Sequence, residues 1–296
     1  MGTCLSGIYI PAITPFDETE AFSKAMLEKN IRIWNATGVA GYMCLGSNGE
    51  FQMLDDEESI EVIRVFCHSR GADKELIAGV GRESLYQTLC FIDRLWEEHL
   101  RIAYVSVLTP HYFRKMMDDT AIISYYKEIA DRSPYPVLLY CAPGYANGVC
   151  ISEQAVHILA DHPNICGIKD TSPDQMDAYI DVAGDRDDFA IMAGSVNTLH
   201  KCLSRGGNGG VLSAANYFPD ACAKLFEIWN TEGEAAYLEY EEQLLTKIQQ
   251  TGGRQGVASV KCCMNLLGYQ AGRPRRPLQA LDENEIEIIK QNLFKQ

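Results

Sequence analysis

Short apolar runs alternate along this chain with longer stretches in which apolar residues recur every three or four positions. The eight runs occupy residues 7–13, 41–45, 76–80, 102–108, 136–141, 165–169, 189–193 and 209–213. A run that is apolar at nearly every position suits a strand that is covered on both faces, as in a parallel sheet with helices outside. The distance between successive runs is that of a strand–helix unit. The pattern therefore predicts an α/β protein built from eight such units.

The intervening stretches predict helices. Residues 55–70, 84–99 and 120–132 show the period of an amphipathic helix. Ser152 followed by Glu153 marks a helix start before another periodic stretch. Eight strand–helix units that end near Trp229 match a (β/α)8 TIM barrel in number and length. We therefore predict one barrel domain over residues 1–230, with the active site at the carboxyl ends of its strands.

The rest of the chain predicts a helical extension. Residues 231–296 contain three periodic stretches, at 235–249, 255–267 and 282–294, interrupted by a Pro- and Arg-rich turn at 272–277. This region is short for an independent domain, so we expect it to pack on the barrel.

An open, doubly wound sheet is the structural alternative, but it predicts a glycine-rich turn directly after the first strand. The chain reads Ile13-Thr14-Pro15-Phe16 there. A glycine-rich segment does occur at residues 206–210, but it precedes a strand, whereas a phosphate-binding loop follows one. We interpret that segment as a tight helix-to-strand turn.

The net charge limits the classes of binding partner that can be expected. With 26 Lys and Arg against 40 Asp and Glu, the net charge is −14. Nucleic acids and anionic membrane surfaces attract basic patches, so neither is expected as a partner. A small anionic substrate is still compatible, because a local pocket can be positive within an acidic protein.

Cysteine and histidine usage predicts free thiols and no metal. The 11 cysteines are scattered without a Cys-x-x-Cys motif, and the six histidines stand apart from one another. Buried free thiols are typical of a reducing compartment. The start of the chain lacks a basic segment followed by an apolar core, and no apolar stretch reaches the roughly 18 residues of a membrane span. We therefore predict a cytoplasmic protein without structural zinc.

Lys169 is the candidate for chemistry. It closes the apolar run at residues 165–169, where burial would disfavour its ammonium form. A lysine with a lowered pKa is a neutral nucleophile near pH 7, as Schiff-base formation requires. The alternative is a structural lysine that is solvated or paired with Asp170.

The other strand ends supply hydroxyl groups rather than a carboxylate or histidine cluster. Tyr140 lies one strand before Lys169 and is the candidate acid/base group, although it could be a core aromatic. Ser47 and Asn48 lie in a turn whose backbone N–H groups suit a carboxylate, although the turn could be an ordinary polar one. Tyr112, in a loop, could instead be a surface aromatic. This set suits carbonyl chemistry on a small 2-oxo acid.

Five ordered motifs carry a family resemblance over nearly the whole chain. They are Gly38-x-x-Gly41 with Gly46-Ser47-Asn48-Gly49-Glu50, Thr109-Pro110-His111-Tyr112, Tyr140-x-x-Pro143, Gly167-Ile168-Lys169-Asp170-Thr171-Ser172 and Gly209-Gly210-Val211-Leu212-Ser213. In this order and spacing the chain resembles the dihydrodipicolinate synthase and N-acetylneuraminate lyase family of Schiff-base pyruvate aldolases. The resemblance implies a TIM barrel that needs no cofactor or metal, and a homotetramer arranged as a dimer of dimers.

The resemblance also implies roles for individual residues. Lys169 would form the Schiff base with pyruvate or another 2-oxo acid, and Tyr140 would move protons at the reacting carbon and oxygen. Ser47 would relay protons between Tyr140 and Tyr112, the latter reaching in from a neighbouring subunit. The roles in holding substrate would fall to Ser47, Asn48, Thr171 and the backbone carbonyl of Leu212.

One position departs from the family's synthases. Tyr145 stands where the resemblance leads us to expect an arginine that pairs with the carboxylate of aspartate semialdehyde. A tyrosine offers one neutral hydrogen bond in place of a bidentate charged pair. Arg82 or Arg114 could supply that contact from another loop. Ser47-Asn48, in place of two threonines, resembles the 2-oxo-acid aldolases of the family.

We therefore predict a lyase that cleaves or forms a 4-hydroxy-2-oxo acid, of the 4-hydroxy-2-oxoglutarate or 2-keto-3-deoxy sugar-acid type, with pyruvate and an aldehyde as partners. The alternatives are dihydrodipicolinate synthase itself, a catalytically silent barrel that binds 2-oxo acids, and a metal-dependent aldolase barrel, which the scattered histidines disfavour.

Overall fold

The strands form the predicted barrel. A computed structural model describes residues 5–183 and 186–295. Within these residues eight strands close into one barrel in chain order. They are β1 (Gly7–Pro11), β2 (Gly41–Cys44), β3 (Glu75–Gly79), β4 (Tyr104–Leu108), β5 (Val137–Cys141), β6 (Ile165–Asp170), β7 (Ala190–Ala193) and β8 (Gly209–Val211). The prediction of a TIM barrel is confirmed.

Helices follow the strands and continue after the last one. They are α1 (Lys24–Trp34), α2 (Asp56–Ser69), α3 (Leu85–Glu97), α4 (Asp119–Arg132), α5 (Glu153–Ala160), α6 (Met176–Ala183), α7 (Val196–Ser204), α8 (Pro219–Thr231), α9 (Glu234–Gln250), α10 (Gly256–Leu266) and α11 (Glu283–Phe294). Helices α2 to α5 and α11 each follow an Asp or Ser whose side chain accepts the backbone N–H three residues on. Such caps satisfy an N–H that the helix itself leaves free.

Several strand ends differ from the sequence-based boundaries, among them those of β1, β6 and β8. β1 ends at Pro11 rather than at residue 13, and β8 ends at Val211 because Ser213–Asn216 form a 3-10 turn. Lys169 was expected at the end of its strand, but β6 continues through Asp170. The lysine is therefore held by strand pairing on both sides, with Tyr140 and Met192 as its register partners.

By its contacts the chain divides into two compact units. One comprises Met1–Gly7 and Leu76–Val211, and the other Ile8–Glu75 and Leu212–Gln296. The first unit contains the run of parallel pairings from β3 to β8. The second contains the pairing of β1 with β2 and the helices from α8 onward. The predicted separation of residues 1–230 from a helical region at 231–296 stays a prediction.

Asn216 joins several segments of the second unit. Its side chain accepts the N–H of Ile13 (3.1 Å) and donates to the carbonyl of Pro11 (2.9 Å), and its own carbonyl accepts the indole N–H of Trp34 (3.0 Å). Asn216 and Trp34 are both fully buried. A buried amide with its hydrogen bonds satisfied fixes the segment after β8 against the end of β1.

Along the described residues, no helix combines the length and the apolar character that crossing a bilayer requires.

Candidate functional site

Lys169 is buried inside the first unit. Only 3% of it is exposed, and burial lowers the pKa of its amine to about 7. The neighbouring carboxylate of Asp170, which sequence alone left as a possible partner, accepts instead from the backbone N–H and the hydroxyl of Ser172 (2.8 and 2.9 Å). Desolvation is thus the cause of the shift, and near neutral pH it leaves a large fraction of the lysine as the free amine.

Tyr140 lies directly beside Lys169. The two residues are register partners on β5 and β6, and the Nζ atom of Lys169 is 4.2 Å from the centroid of the Tyr140 ring. Tyr140 is also buried. The structure therefore brings together an amine that can act as a nucleophile and a phenol that can exchange protons in a desolvated setting.

Thr171 is held at the end of β6. Its backbone N–H and its hydroxyl both donate to the carbonyl of Cys141, at 2.9 and 3.2 Å. Gly194, after β7, leaves room for it: a Cβ at that position would lie 2.0 Å from the methyl carbon of Thr171 and 2.6 Å from the carbonyl oxygen of Asp170. The close packing fixes the backbone that follows Lys169.

Tyr145 lies in the loop that follows β5. Its side chain is 62% exposed. Partial desolvation, followed by the charge that Tyr140 would carry, raises the pKa of Tyr145. The two side chains therefore lie close enough to interact electrostatically.

Arg82 and Arg114, which could supply the carboxylate contact that Tyr145 lacks, differ in position. The Arg82 guanidinium stacks on the ring of Phe91, 4.0 Å from its centroid, and donates to the carbonyls of Val80 and Gly81, just after β3. A Cβ on Gly148, in the Tyr145 loop, would lie 3.2 Å from the guanidinium carbon of Arg114. Of the two arginines, Arg114 is therefore the one that lies beside the loop carrying Tyr145.

Tyr112 extends into solvent from an ordered loop. It is 75% exposed, and its ring packs edge-on against Phe113 with centroids 5.0 Å apart. Glu83, which sequence reasoning did not single out, orders the backbone: its carboxylate accepts from the N–H groups of His111 (3.0 Å) and Tyr112 (2.8 Å) and lies 2.9 Å from Nδ1 of His111. In the loop after β5, Asn147 donates to the His111 carbonyl (3.3 Å).

Ser47 and Asn48 belong to the second unit, after β2. They begin a 3-10 turn over Ser47–Gly49, and the Asn48 side-chain oxygen accepts from the hydroxyl of Ser213 at 3.2 Å. The Thr14 hydroxyl donates to the carbonyl of Gly49 at 2.7 Å. The turn that was predicted to bind a carboxylate is therefore a compact turn after β2, held by hydrogen bonds from Thr14 and Ser213.

Leu212 is fully buried directly after β8. Its N–H donates to the carbonyl of Tyr9 (3.1 Å), and its own carbonyl accepts from the N–H of Ala215 (2.9 Å). A carbonyl oxygen has two lone pairs, so one stays available to a ligand. The predicted role of this carbonyl at the pyruvyl group stays a prediction.

Glu50 and Lys261 form a buried ion pair that sequence reasoning missed. Their atoms are 2.6 Å apart and both side chains are 1% exposed. Glu50 also accepts the backbone N–H of Arg275 (2.8 Å), and Lys261 donates to the Arg273 carbonyl (3.0 Å). Since 211 residues separate the pair in sequence, no local pattern could have linked them.

Residues 5–183 and 186–295 contain no group of three or more His, Cys, Asp or Glu side chains placed to bind a metal ion. The expectation that the reaction needs no cofactor or metal stays a prediction.

A barrel with a buried lysine of lowered pKa beside a tyrosine has the chemistry of a lyase that acts through a Schiff base. The family model for the dihydrodipicolinate synthetase family matches residues 4–296. The chain belongs to this family and is a class I lyase of the aldolase type.

Known proteins of the same kind are similar to this chain over nearly their full lengths. The probable mitochondrial 4-hydroxy-2-oxoglutarate aldolase of Emericella nidulans is 29% identical, with 96% of this chain and 93% of that protein covered. The 4-hydroxy-tetrahydrodipicolinate synthase of Methanospirillum hungatei is also 29% identical, with coverage of 97% and 98%. The crystal structure of YagE from Escherichia coli K12 in complex with pyruvate is 25% identical, with a TM-score of 0.88 and 97% of both chains covered.

Proposed function

We propose that this chain is an aldolase that cleaves or forms a 4-hydroxy-2-oxo acid through an enamine of pyruvate bound to Lys169. The observation that carries the proposal is the buried amine of Lys169, with a pKa of about 7 and its Nζ 4.2 Å from the Tyr140 ring centroid. The likeness to a 4-hydroxy-2-oxoglutarate aldolase and to a structure with bound pyruvate supports it.

In the cleavage direction the amine of Lys169 attacks the C2 carbonyl, and loss of water gives an iminium. Tyr140, as a base, takes the proton of the C4 hydroxyl while the C3–C4 bond breaks. The bond's electron pair moves to C3 and forms the enamine, and the aldehyde leaves. Protonation of C3 and hydrolysis of the imine release pyruvate. Condensation follows the same steps in reverse.

The remaining predicted residues receive binding and relay roles in this proposal. Ser47 and Asn48 hold the 2-oxo-acid carboxylate, the Leu212 carbonyl faces the pyruvyl group, and Thr171 contacts substrate. Tyr112 completes a proton relay through Ser47 from a second copy of the chain, and its 75% exposure is compatible with that. We propose a homotetramer on the same resemblance. Mass photometry of the purified protein tests the assembly, and a monomer would contradict it.

The aldehyde partner is proposed to be one that does not need an arginine at position 145. Tyr145 offers a neutral hydroxyl, and Arg114 accompanies the same loop beside Gly148. Dihydrodipicolinate synthase activity is the second candidate, and the 29% identity to a 4-hydroxy-tetrahydrodipicolinate synthase favours keeping it in the test. A catalytically silent barrel is the third.

Borohydride trapping tests the Schiff base directly. The protein is reduced with borohydride in the presence of pyruvate and then mapped by peptide mass spectrometry. We expect a stable adduct on Lys169 and no adduct when borohydride or pyruvate is omitted. Lys261 is a matched internal control, because it is also buried, with a pKa lowered to about 8 by burial. Pyruvate binding without an adduct on Lys169 would support the silent barrel.

Product analysis separates the two activities. The protein is incubated with 4-hydroxy-2-oxoglutarate or with a 2-keto-3-deoxy sugar acid, and pyruvate release is followed. A parallel assay supplies pyruvate and aspartate semialdehyde. We expect retro-aldol release of pyruvate from one of the hydroxy-oxo acids and weak condensation with the semialdehyde. Efficient condensation by the unmodified protein would identify the synthase instead.

Tyr145→Arg sharpens the specificity test. The arginine would offer a bidentate charged pair to a carboxylate, which is roughly twice as strong as a neutral hydrogen bond. We expect this variant to gain condensation with aspartate semialdehyde. Tyr145→Phe, which removes the hydroxyl and adds no charge, serves as the control and should not gain it.

The compartment is part of the proposal. We propose that the protein works in a reducing compartment, and that this compartment is the cytoplasm. Among the described residues, buried cysteines such as Cys202 and Cys222 are not joined in disulfides, which supports a reducing environment. One relative is named as mitochondrial, so imaging of a fluorescent fusion is the measurement that decides between the two.

A further inference from the structure

Two cysteines meet at the ends of the loop that carries Tyr145. Cys141 is the last residue of β5 and is buried, whereas Cys150 closes the loop and is half-buried. A hydrogen bond joins the two thiols. Neither thiol belongs to the proposed lyase chemistry, and both are free.

Tyr179 fixes the pair from helix α6. Its hydroxyl donates to the backbone carbonyl of Ile151, directly after Cys150, and its oxygen lies 3.3 Å from the Sγ atom of Cys141. Tyr179 is fully buried. One buried hydroxyl therefore holds both ends of the loop, at Cys141 and directly after Cys150.

The two thiols differ in reactivity. The hydrogen bond from Cys141 lowers the pKa of Cys150, against burial and the carboxylates of Asp170 and Asp174, which raise it. The same hydrogen bond and burial raise the pKa of Cys141 far above its usual range. Cys150 is thus the more solvent-accessible sulfur with the greater thiolate fraction, and Cys141 is a buried thiol in contact with it.

We propose that Cys141 and Cys150 form a modification site, a dithiol that a peroxide oxidises to an intramolecular disulfide. The Cys150 thiolate attacks one oxygen of hydrogen peroxide, the O–O bond breaks, and the leaving hydroxide takes a proton to become water. The resulting sulfenic acid is attacked by the Cys141 sulfur, which gives up its proton, and a second water leaves. Two thiols lose two electrons, and one peroxide becomes two waters.

The disulfide ties the Tyr145 loop to the strand of Tyr140. The ring it closes runs from residue 141 to residue 150 and contains Tyr145. The carbonyl of Cys141 already accepts two hydrogen bonds from Thr171. Disulfides in proteins of reducing compartments are commonly transient and redox-sensing, which fits a pair beside a substrate-binding loop. The oxidation of the two thiols does not itself require the proposed lyase activity.

Peptide mapping of the oxidised protein tests the site. The full-length folded protein is treated with hydrogen peroxide, its remaining thiols are blocked, and it is digested without reductant. We expect a linked peptide pair containing Cys141 and Cys150, lighter by two hydrogen atoms than the free peptides and separated by dithiothreitol. Cys150 should oxidise on the order of tenfold faster than the half-buried Cys166 on β6.

Two variants provide the controls. Cys150→Ser should leave Cys141 blockable after peroxide, and Cys166→Ser should leave the link intact. Sulfinic acid on Cys150 with Cys141 still blockable would overturn the proposal. Linked peptides that join two chains, or oxidation of Cys166 as fast as that of Cys150, would overturn it as well. Because the mapping of the wild-type protein needs no substitution, it tests the proposal even where a variant fails to fold.

Discussion

At the residue scale, the pKa of Lys169 predicts how imine formation depends on pH. Only the neutral amine attacks a ketone, and its pKa is about 7 where an ordinary lysine lies near 10.5. We expect the initial rate of pyruvate trapping to rise as pH increases from about 6 to about 8 and then level off. Stopped-time trapping at saturating pyruvate measures this. A rate that keeps rising toward pH 10 would show that Lys169 is solvated.

The same shift predicts the effect of Lys169→Met on stability. Because the folded pKa is lower than the unfolded one, the unfolded chain binds more protons between about pH 7 and pH 10. The free energy of unfolding of the wild type therefore rises with pH in that window. Lys169→Met should abolish trapping, raise the free energy of unfolding by a few kcal/mol at pH 7, and flatten that rise. Urea unfolding at several pH values tests it, and a less stable Lys169→Met would contradict the burial argument.

Gly194→Ala tests the packing that fixes the residues after Lys169. A Cβ there would lie 2.0 Å from the Thr171 methyl carbon and 2.6 Å from the Asp170 carbonyl oxygen, so backbone must move. We expect a loss of about 1–3 kcal/mol in the free energy of unfolding and slower trapping at Lys169. Gly144→Ala is the control, since nothing lies within 4 Å of its Cβ position. Equal stability of the two variants would contradict the prediction.

At the element scale, Glu83 predicts the order of the loop that carries Tyr112. Its carboxylate holds two backbone N–H groups and the ring of His111. We expect Glu83→Ala to raise amide hydrogen exchange at residues 111 and 112 about fivefold, which corresponds to about 1 kcal/mol for partly exposed bonds. Glu97→Ala, at an exposed position of α3, is the control. Unchanged exchange in Glu83→Ala would show that the loop is ordered without this carboxylate.

The sequence predicted elements better than it predicted contacts between them. The eight apolar runs fall on the eight strands because continuous burial leaves a clear pattern. The end of β8 was placed too late because a 3-10 turn begins at Ser213. The apolar character of the residues does not reveal such a turn. Lys169 was found because a cation in an apolar run is rare. The contact of Glu83 with Tyr112 and that of Cys141 with Cys150 depend on loop geometry, which no local period encodes.

At the scale of the whole molecule, a polar network joins distant parts of the chain within the second unit. Glu50 ends the turn that begins at Ser47, in a left-handed conformation with φ of 53°. Its carboxylate pairs with Lys261 of α10 and accepts from Arg275, whose guanidinium forms two hydrogen bonds with Glu58. The family match includes the C-terminal helices, and this network gives α10 a physical connection to the turn.

Lys261→Met should therefore be among the more damaging substitutions outside the proposed chemistry. It leaves the buried Glu50 carboxylate without its closest cation, which costs about 3–5 kcal/mol. Adding Glu50→Gln to it removes the uncompensated charge and should recover much of that loss, because a neutral pair has no such desolvation cost. Lys290→Met, whose ion pair with Glu287 is exposed, should change stability by about 0.5 kcal/mol or less. Chemical unfolding of these variants measures the coupling, and strictly additive effects of the two buried substitutions would show that Glu50 and Lys261 do not depend on each other.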